Sequence, residues 1–139
     1  MTLFVINFYN YNDHALISAR KFNCNVEDTL FLHKLMDESK MHCPHTWQHR
    51  LFSHNTFFVG IIVDLYYKLT GKYSVPNTKN GGEILIRDIL LEHLKEDFSG
   101  KMPSITDWLE SLTFKPDRWL NNPDRKEINW LKTLNSSDE

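Results

Sequence analysis

Five of the seven histidines lie between His33 and His54, in the segment HKLMDESKMHCPHTWQHRLFSH, with Asp37, Lys40 and Arg50 among them. Imidazole and carboxylate are the donors that hold zinc or manganese, at metal–ligand distances of about 2 Å. Residues four apart share one face of a helix, so a helix can offer two such donors to one ion. His33 and Asp37, His45 and His49, and His93 and Asp97 all have that spacing. The expected metal set is His33, Asp37 and His49, with His14 or His54 as a further member. His49 and His54 are five apart, roughly 140° around a continuous helix, so at most one of them should serve a given ion.

A second chemistry is anion binding. Arg50, Lys40, His14, His54 and His93 form the expected ligand-binding set for a phosphate-bearing small molecule, because guanidinium and ammonium groups pair with phosphate. Helix N-termini at Pro44 and Ser104 would add backbone donors. Lys40 also reads simply as a solvated lysine at the end of its own helix. Arg50 neighbours an apolar stripe and needs a partner if buried, for which Asp37 is the expected one. Against both chemistries stands a plainer reading. Histidines on apolar helix faces commonly bond a carboxylate or carbonyl with no metal present, so the cluster could be purely structural. Nucleophilic catalysis has the least behind it. Ser39, Ser53 and Cys43 each have a histidine nearby, but none sits in a nucleophile elbow. There is no HExxH, no tandem CxxC and no P-loop lysine after Asn80-Gly81-Gly82, and no histidine is followed directly by aspartate.

The elements that must position these groups read as helices. Asn12 or Asp13 should cap a helix running to about Lys21, with His14 in its first turn. Asn25 with Asp28 resembles a capping box that opens a helix from Val26 to about Lys40. Pro44 suits the first turn of the next helix. Trp47, Leu51, His54, Phe58, Ile61, Leu65 and Leu69 step by three and four, which predicts one long central helix over 44–70, ended by Gly71. The stretch 72–82 reads as a loop, 83–97 as a helix, and Ser104 with Asp107 as the start of a short one. A last short helix is expected after Pro123. The expectation is an all-α, compact, single-domain bundle of five or six helices around a long central helix. Residues 1–12 would form a short extended arm and 113–139 a C-terminal extension.

Length and composition fit that picture. The chain of 139 residues suffices for one ordinary domain. A formal net charge of −2 argues against general nucleic-acid binding, which needs a basic excess. Two cysteines, Cys24 and Cys43, are too few for a disulfide framework and read as reduced thiols in a cytoplasmic protein. The longest apolar run, 57–65, is interrupted by Gly60 and Asp64 and falls far short of the roughly 20 residues a membrane span needs.

The motifs DxSK at 37–40, HRxxxH at 49–54, and HxxED at 93–97 followed by Gly100, Pro103-Ser104 and Asp107-Trp108 resemble those of a group of small bacterial and phage proteins of unknown function. A His-Ala-Leu helix start at residues 14–16 belongs to the same pattern, and the resemblance covers about residues 13–112. It implies that His14, Asp37, His49, Arg50, His54 and His93 belong together, and it implies no reaction. One difference is that two residues, Phe98 and Ser99, separate Asp97 from Gly100 where the pattern has one. The function expected is a His/Asp/Arg pocket for a divalent metal, zinc or manganese, or for a phosphate-bearing small molecule. If catalytic, it would carry out metal-assisted hydrolysis. The competing expectation is a non-catalytic accessory protein that binds a nucleotide or a host protein.

Overall fold

A computed structural model of the chain describes residues 9–43 and 46–111. In chain order the elements are α1 (Tyr11–Lys21), α2 (Val26–Asp37), a short 3-10 helix (Glu38–Met41), α3 (Thr46–Ser53), α4 (Thr56–Thr70), β1 (Ser74–Pro76), β2 (Glu83–Leu85), α5 (Ile86–Asp97) and α6 (Ile105–Ser111). The domain is mostly helical, as expected. Residues 1–8 of the expected N-terminal arm, Pro44, His45 and the helix expected after Pro123 lie outside the described residues, and the end of that arm is corrected, since Tyr11 and Asn12 already belong to α1.

Helix α5 is the centre. Its inward face is Ile86, Ile89, Leu90, His93, Leu94 and Asp97, all buried, at the three-and-four spacing of a core-facing stripe. Helix α2 buries Thr29, Leu32, His33, Met36 and Asp37 at the same spacing, and α1 buries His14, Ala15 and Ser18. Each stripe therefore carries polar residues at core positions. The apolar remainder, chiefly Leu32, Met36, Leu90, Leu94 and Phe98, is fully buried. Such side chains each stabilise the fold by about 1.5–3 kcal/mol on removal from water.

Four local expectations are corrected. The cap of α1 is Asn10, whose side chain accepts from the Asp13 N–H while Asp13 accepts from the Asn10 N–H. The loop after Gly71 contains an antiparallel hairpin with Val75 opposite Ile84, so α5 begins at Ile86 rather than Glu83. The Asn77 side chain donates to the carbonyls of Phe22 and Asn23, which ties this hairpin to the α1–α2 turn.

The long helix is two helices, and this third correction matters most. After Ser53 the chain bends, and Asn55 takes an extended conformation (φ −151°) as the N-cap of α4. The interruption leaves backbone groups to be satisfied. Asn55 Oδ1 accepts from the Phe58 N–H at 2.8 Å, and its amide donates to the Leu51 carbonyl at 2.7 Å. The Pro103 carbonyl accepts from the Thr56 N–H, and the Trp108 indole donates to the His54 carbonyl at 2.8 Å. The fourth correction follows. The apolar stripe expected to continue through α4 is not buried there: Ile61, Leu65 and Leu69 are exposed, Leu69 at 85%, while Val59 and Ile62 face the core. Helix α4 packs on α5 from outside, so it is not the central element.

Two helix ends and one helix start agree with the sequence reading. Gly71 ends α4 at φ 72°. Ser99 (φ 52°) and Gly100 (φ 88°) turn the chain after α5. Ser104 and Asp107 form the capping box of α6. Among the described residues, no helix is long and apolar enough to cross a membrane.

Candidate metal centre

Three of the stripes converge at one end of the domain, where α2 supplies Asp37, α5 supplies His93 and Asp97, and the α3–α4 junction supplies His49 and His54. All five are buried, Asp37 the least at 7% exposure. His54 Nε2 is the hub. It lies 3.0 Å from Asp97 Oδ2, 3.4 Å from Asp37 Oδ1 and 3.1 Å from His93 Nε2. His93 Nε2 is 3.4 Å from Asp97 Oδ2 and 3.8 Å from Asp37 Oδ1. His49 Nε2 is 3.7 Å from Asp37 Oδ1 and has no hydrogen-bond partner among the described residues.

The helix break explains how His49 and His54 reach the same place. On one continuous helix they would diverge, as their spacing predicts. With the bend after Ser53, Asp37, His49 and His54 bring donor atoms within 4.8 Å of one another, and so do His54, His93 and Asp97.

The outer nitrogens of the three rings are held by a second layer. Ser53 Oγ donates to the His49 carbonyl at 3.0 Å, which leaves it to accept from His54 Nδ1 at 2.9 Å. Ser39 Oγ donates to Ser53 Oγ at 3.0 Å and lies 2.6 Å from His49 Nδ1. His93 Nδ1 lies 2.8 Å from His33 Nδ1, and His33 Nε2 lies 2.8 Å from Ser18 Oγ. With its proton on Nδ1, His49 bonds Ser39 and turns its Nε2 lone pair inward. It is the pattern by which outer partners orient metal-ligating imidazoles.

His14 closes the far side. Its Nδ1 is 2.5 Å from Glu96 Oε2 and its Nε2 is 3.1 Å from Asp97 Oδ1. Its ring stacks on that of His93 at 3.7 Å between centroids. Burial disfavours the charged form of His14, but the bonds to Asp97 and Glu96 outweigh it and raise the pKa to about 9. The other rings go the opposite way. Burial, reinforced by neighbouring His93 and His14, pushes His33 down to about 2. Burial and the adjacent His54 push His49 down to about 3. Burial lowers His93 to about 4 despite its bond to Asp97. Burial alone would raise the two aspartates. Bonds from His54 to Asp37, and from His14, His54 and His93 to Asp97, prevail and hold both below the ordinary carboxylate range. The site thus presents ionised Asp37 and Asp97 beside neutral His49 and His93, the protonation states that metal ligation requires.

A family model described as a domain of unknown function, DUF6915, matches residues 9–120. The chain belongs to that family. Comparison with curated proteins and with solved structures returned no match. The DUF6915 span contains every residue of the cluster.

Of the residues singled out from the sequence, His33, Asp37 and His49 do not form one group. His33 falls in a group with His14 and His93, whereas Asp37 and His49 group with His54. His14, His54 and His93 are all in the cluster. Arg50 is buried on α3 next to His49. Lys40 is on the surface, its Nζ 3.4 Å from Asp37 Oδ2. Asp97 was visible as the repeat of the His33–Asp37 spacing and as the last residue of the HxxED motif, and like Asp37 it lies against three histidines. Ser39 and Glu96 were seen only as members of the DxSK and HxxED motifs and Ser53 only as a serine near a histidine, while Ser18 carried no sequence signal.

Proposed function

We propose that this domain binds one divalent transition-metal ion, zinc or manganese, through Asp37, His49, His54, His93 and Asp97, and that the centre serves hydrolysis. One observation carries the reading: two buried donor triads, Asp37–His49–His54 and His54–His93–Asp97, share His54. Donors bound at about 2.1 Å to one ion are about 3.0–3.4 Å apart in octahedral or tetrahedral arrangement. The separations of 3.0, 3.1 and 3.4 Å around His54 Nε2 match that spacing. A proton can bridge His54 Nε2 to one carboxylate, but it cannot also serve the His93 Nε2 that faces it. A divalent cation within the Asp37–His49–His54 triad would also partner His49 Nε2, which has no hydrogen-bond partner among the described residues.

His33, which the sequence placed among the ligands, acts here as an outer partner. It relays between His93 and Ser18 and orients the His93 ring. His14 holds the second oxygen of Asp97 and leaves Oδ2 to the centre. A divalent ion at such a site supplies Lewis acidity for water-dependent cleavage of an ester or phosphoester. The test is elemental analysis of protein purified without a polyhistidine tag. About one ion per chain is expected, lost in Asp97→Asn and His54→Gln. A content far below one that zinc or manganese addition leaves unchanged would overturn the reading.

A structural reading is favoured by one observation, the short contact of His14 Nδ1 with Glu96 and the 3.1 Å approach of its Nε2 to Asp97 Oδ1. On that reading Asp97→Asn lowers stability and no metal is present to lose.

A further inference from the structure

A surface cleft of about 390 Å³ is lined by Asn10, Tyr11, Lys34, Asp37, Glu38, Lys40 and Met41. Among the described residues, Asp37 is the one that belongs both to this cleft and to the buried cluster. Its two oxygens divide the work. Oδ1 faces His49, His54 and His93, while Oδ2 lies 3.4 Å from Lys40 Nζ. Lys34 Nζ stands 5.5 Å from the centroid of the Tyr11 ring, and the Met41 side chain is 79% exposed.

The charges of the lining balance, with Lys34 and Lys40 against Asp37 and Glu38. A divalent ion behind Asp37 tips that balance positive and gives the cleft an affinity for anions. The rest of the lining has its own preference. An aromatic ring and a thioether form an adaptable apolar wall suited to a planar group, and two ammonium groups suit a phosphate.

We infer that this cleft is the entrance to the centre and that it takes a small phosphate monoester with a planar organic group, of nucleoside-monophosphate class. Lys34 and Lys40 hold the phosphate, Tyr11 and Met41 face the planar part, and Asp37 is the point of contact between ligand and centre. This rests on the proposed metal site. It also replaces part of the expected ligand-binding set, because His14, His54 and His93 are buried behind Asp37 and Lys34 was not in that set.

Isothermal titration calorimetry on zinc-reconstituted protein tests it, with AMP, adenosine and inorganic phosphate as probes, alongside zinc analysis of each sample. AMP should bind at least about tenfold more tightly than adenosine, about 1.4 kcal/mol. Lys34→Glu and Lys40→Glu should each weaken AMP about tenfold or more while zinc content stays at the wild-type level. Both lysines are exposed, so these variants keep the fold. Failure of AMP to bind at millimolar concentration, equal binding of adenosine, or insensitivity to both charge reversals overturns the inference. The metal reading fails separately, on the zinc analysis. Lysine-dependent AMP binding by a protein that holds no zinc would sustain the cleft and remove the centre behind it.

Discussion

Lowering the pH of the metal-stripped protein from about 7.5 to about 5.5 should cost about 3 kcal/mol of stability. The unfolded chain titrates its histidines at the ordinary value of 6.5, whereas in the fold His33, His49 and His93 are held neutral at about 2, 3 and 4. A histidine whose folded pKa is lowered contributes stability above 6.5 and loses it as the pH falls. Over this interval each of the three therefore costs about 1.4 kcal/mol. His14 has the opposite sign. Its folded pKa of about 9 keeps it protonated throughout, so it gains about 1.4 kcal/mol relative to the unfolded chain as the pH falls. Three losses against one gain leave about 2.7 kcal/mol lost, and the maximum of stability falls near pH 7. The aspartates add nothing, since above about pH 5 they are ionised in both states. Urea denaturation of chelator-treated protein at the two pH values measures the difference directly, and the melting temperature should fall by on the order of 10 °C. Equal or greater stability at the lower pH would show that these imidazoles are not held neutral, and the account of the cluster would fail with it.

Other expectations follow from single contacts. His33→Ala should weaken zinc binding about 10–100-fold with the stoichiometry kept, because it removes the partner of His93 Nδ1; competition with a chromophoric chelator reads this. Asn55→Ala deletes the cap of α4 and the amide bond to Leu51. It should cost about 1–2 kcal/mol in denaturant unfolding and also lower zinc affinity, since the bend aims His54. Gly71→Ala has open space for its methyl group but a left-handed backbone at φ 72°, so it should cost about 1 kcal/mol and leave metal content unchanged.

The helices around the cluster were legible because their polar and apolar core residues keep one period. Thr29, Leu32, His33, Met36 and Asp37 in α2, and Ile86 to Asp97 in α5, follow it. The division of α3 from α4 was not read, because the apolar spacing from Trp47 to Leu69 runs through the bend without interruption. Asn55-Thr56 is a good local cap, but the bonds that make a break there affordable come from Pro103 and Trp108, about fifty residues on. Spacing also says nothing of the different surroundings of two similar pairs. His33–Asp37 and His93–Asp97 are alike in sequence, yet Ser18 draws His33 into a supporting position while Asp97 faces the hub. Which ring nitrogen points where is set by neighbours in space. The outward turn of Ile61, Leu65 and Leu69 is of the same kind, since apolar composition does not say which side of a helix is covered.

Among the described residues Asp37 is the cluster member that also lines a surface cleft, and on the proposed metal reading this has a consequence for exchange. With the other four donors sealed under side chains, a seated ion can leave only past that one carboxylate, and leaving requires the domain to open locally. Release will then be slow compared with the life of a protein preparation, and chelators will act at the pace of that opening rather than at their own. If the proposed centre is occupied, the metal recovered with the protein will be the one it met while folding.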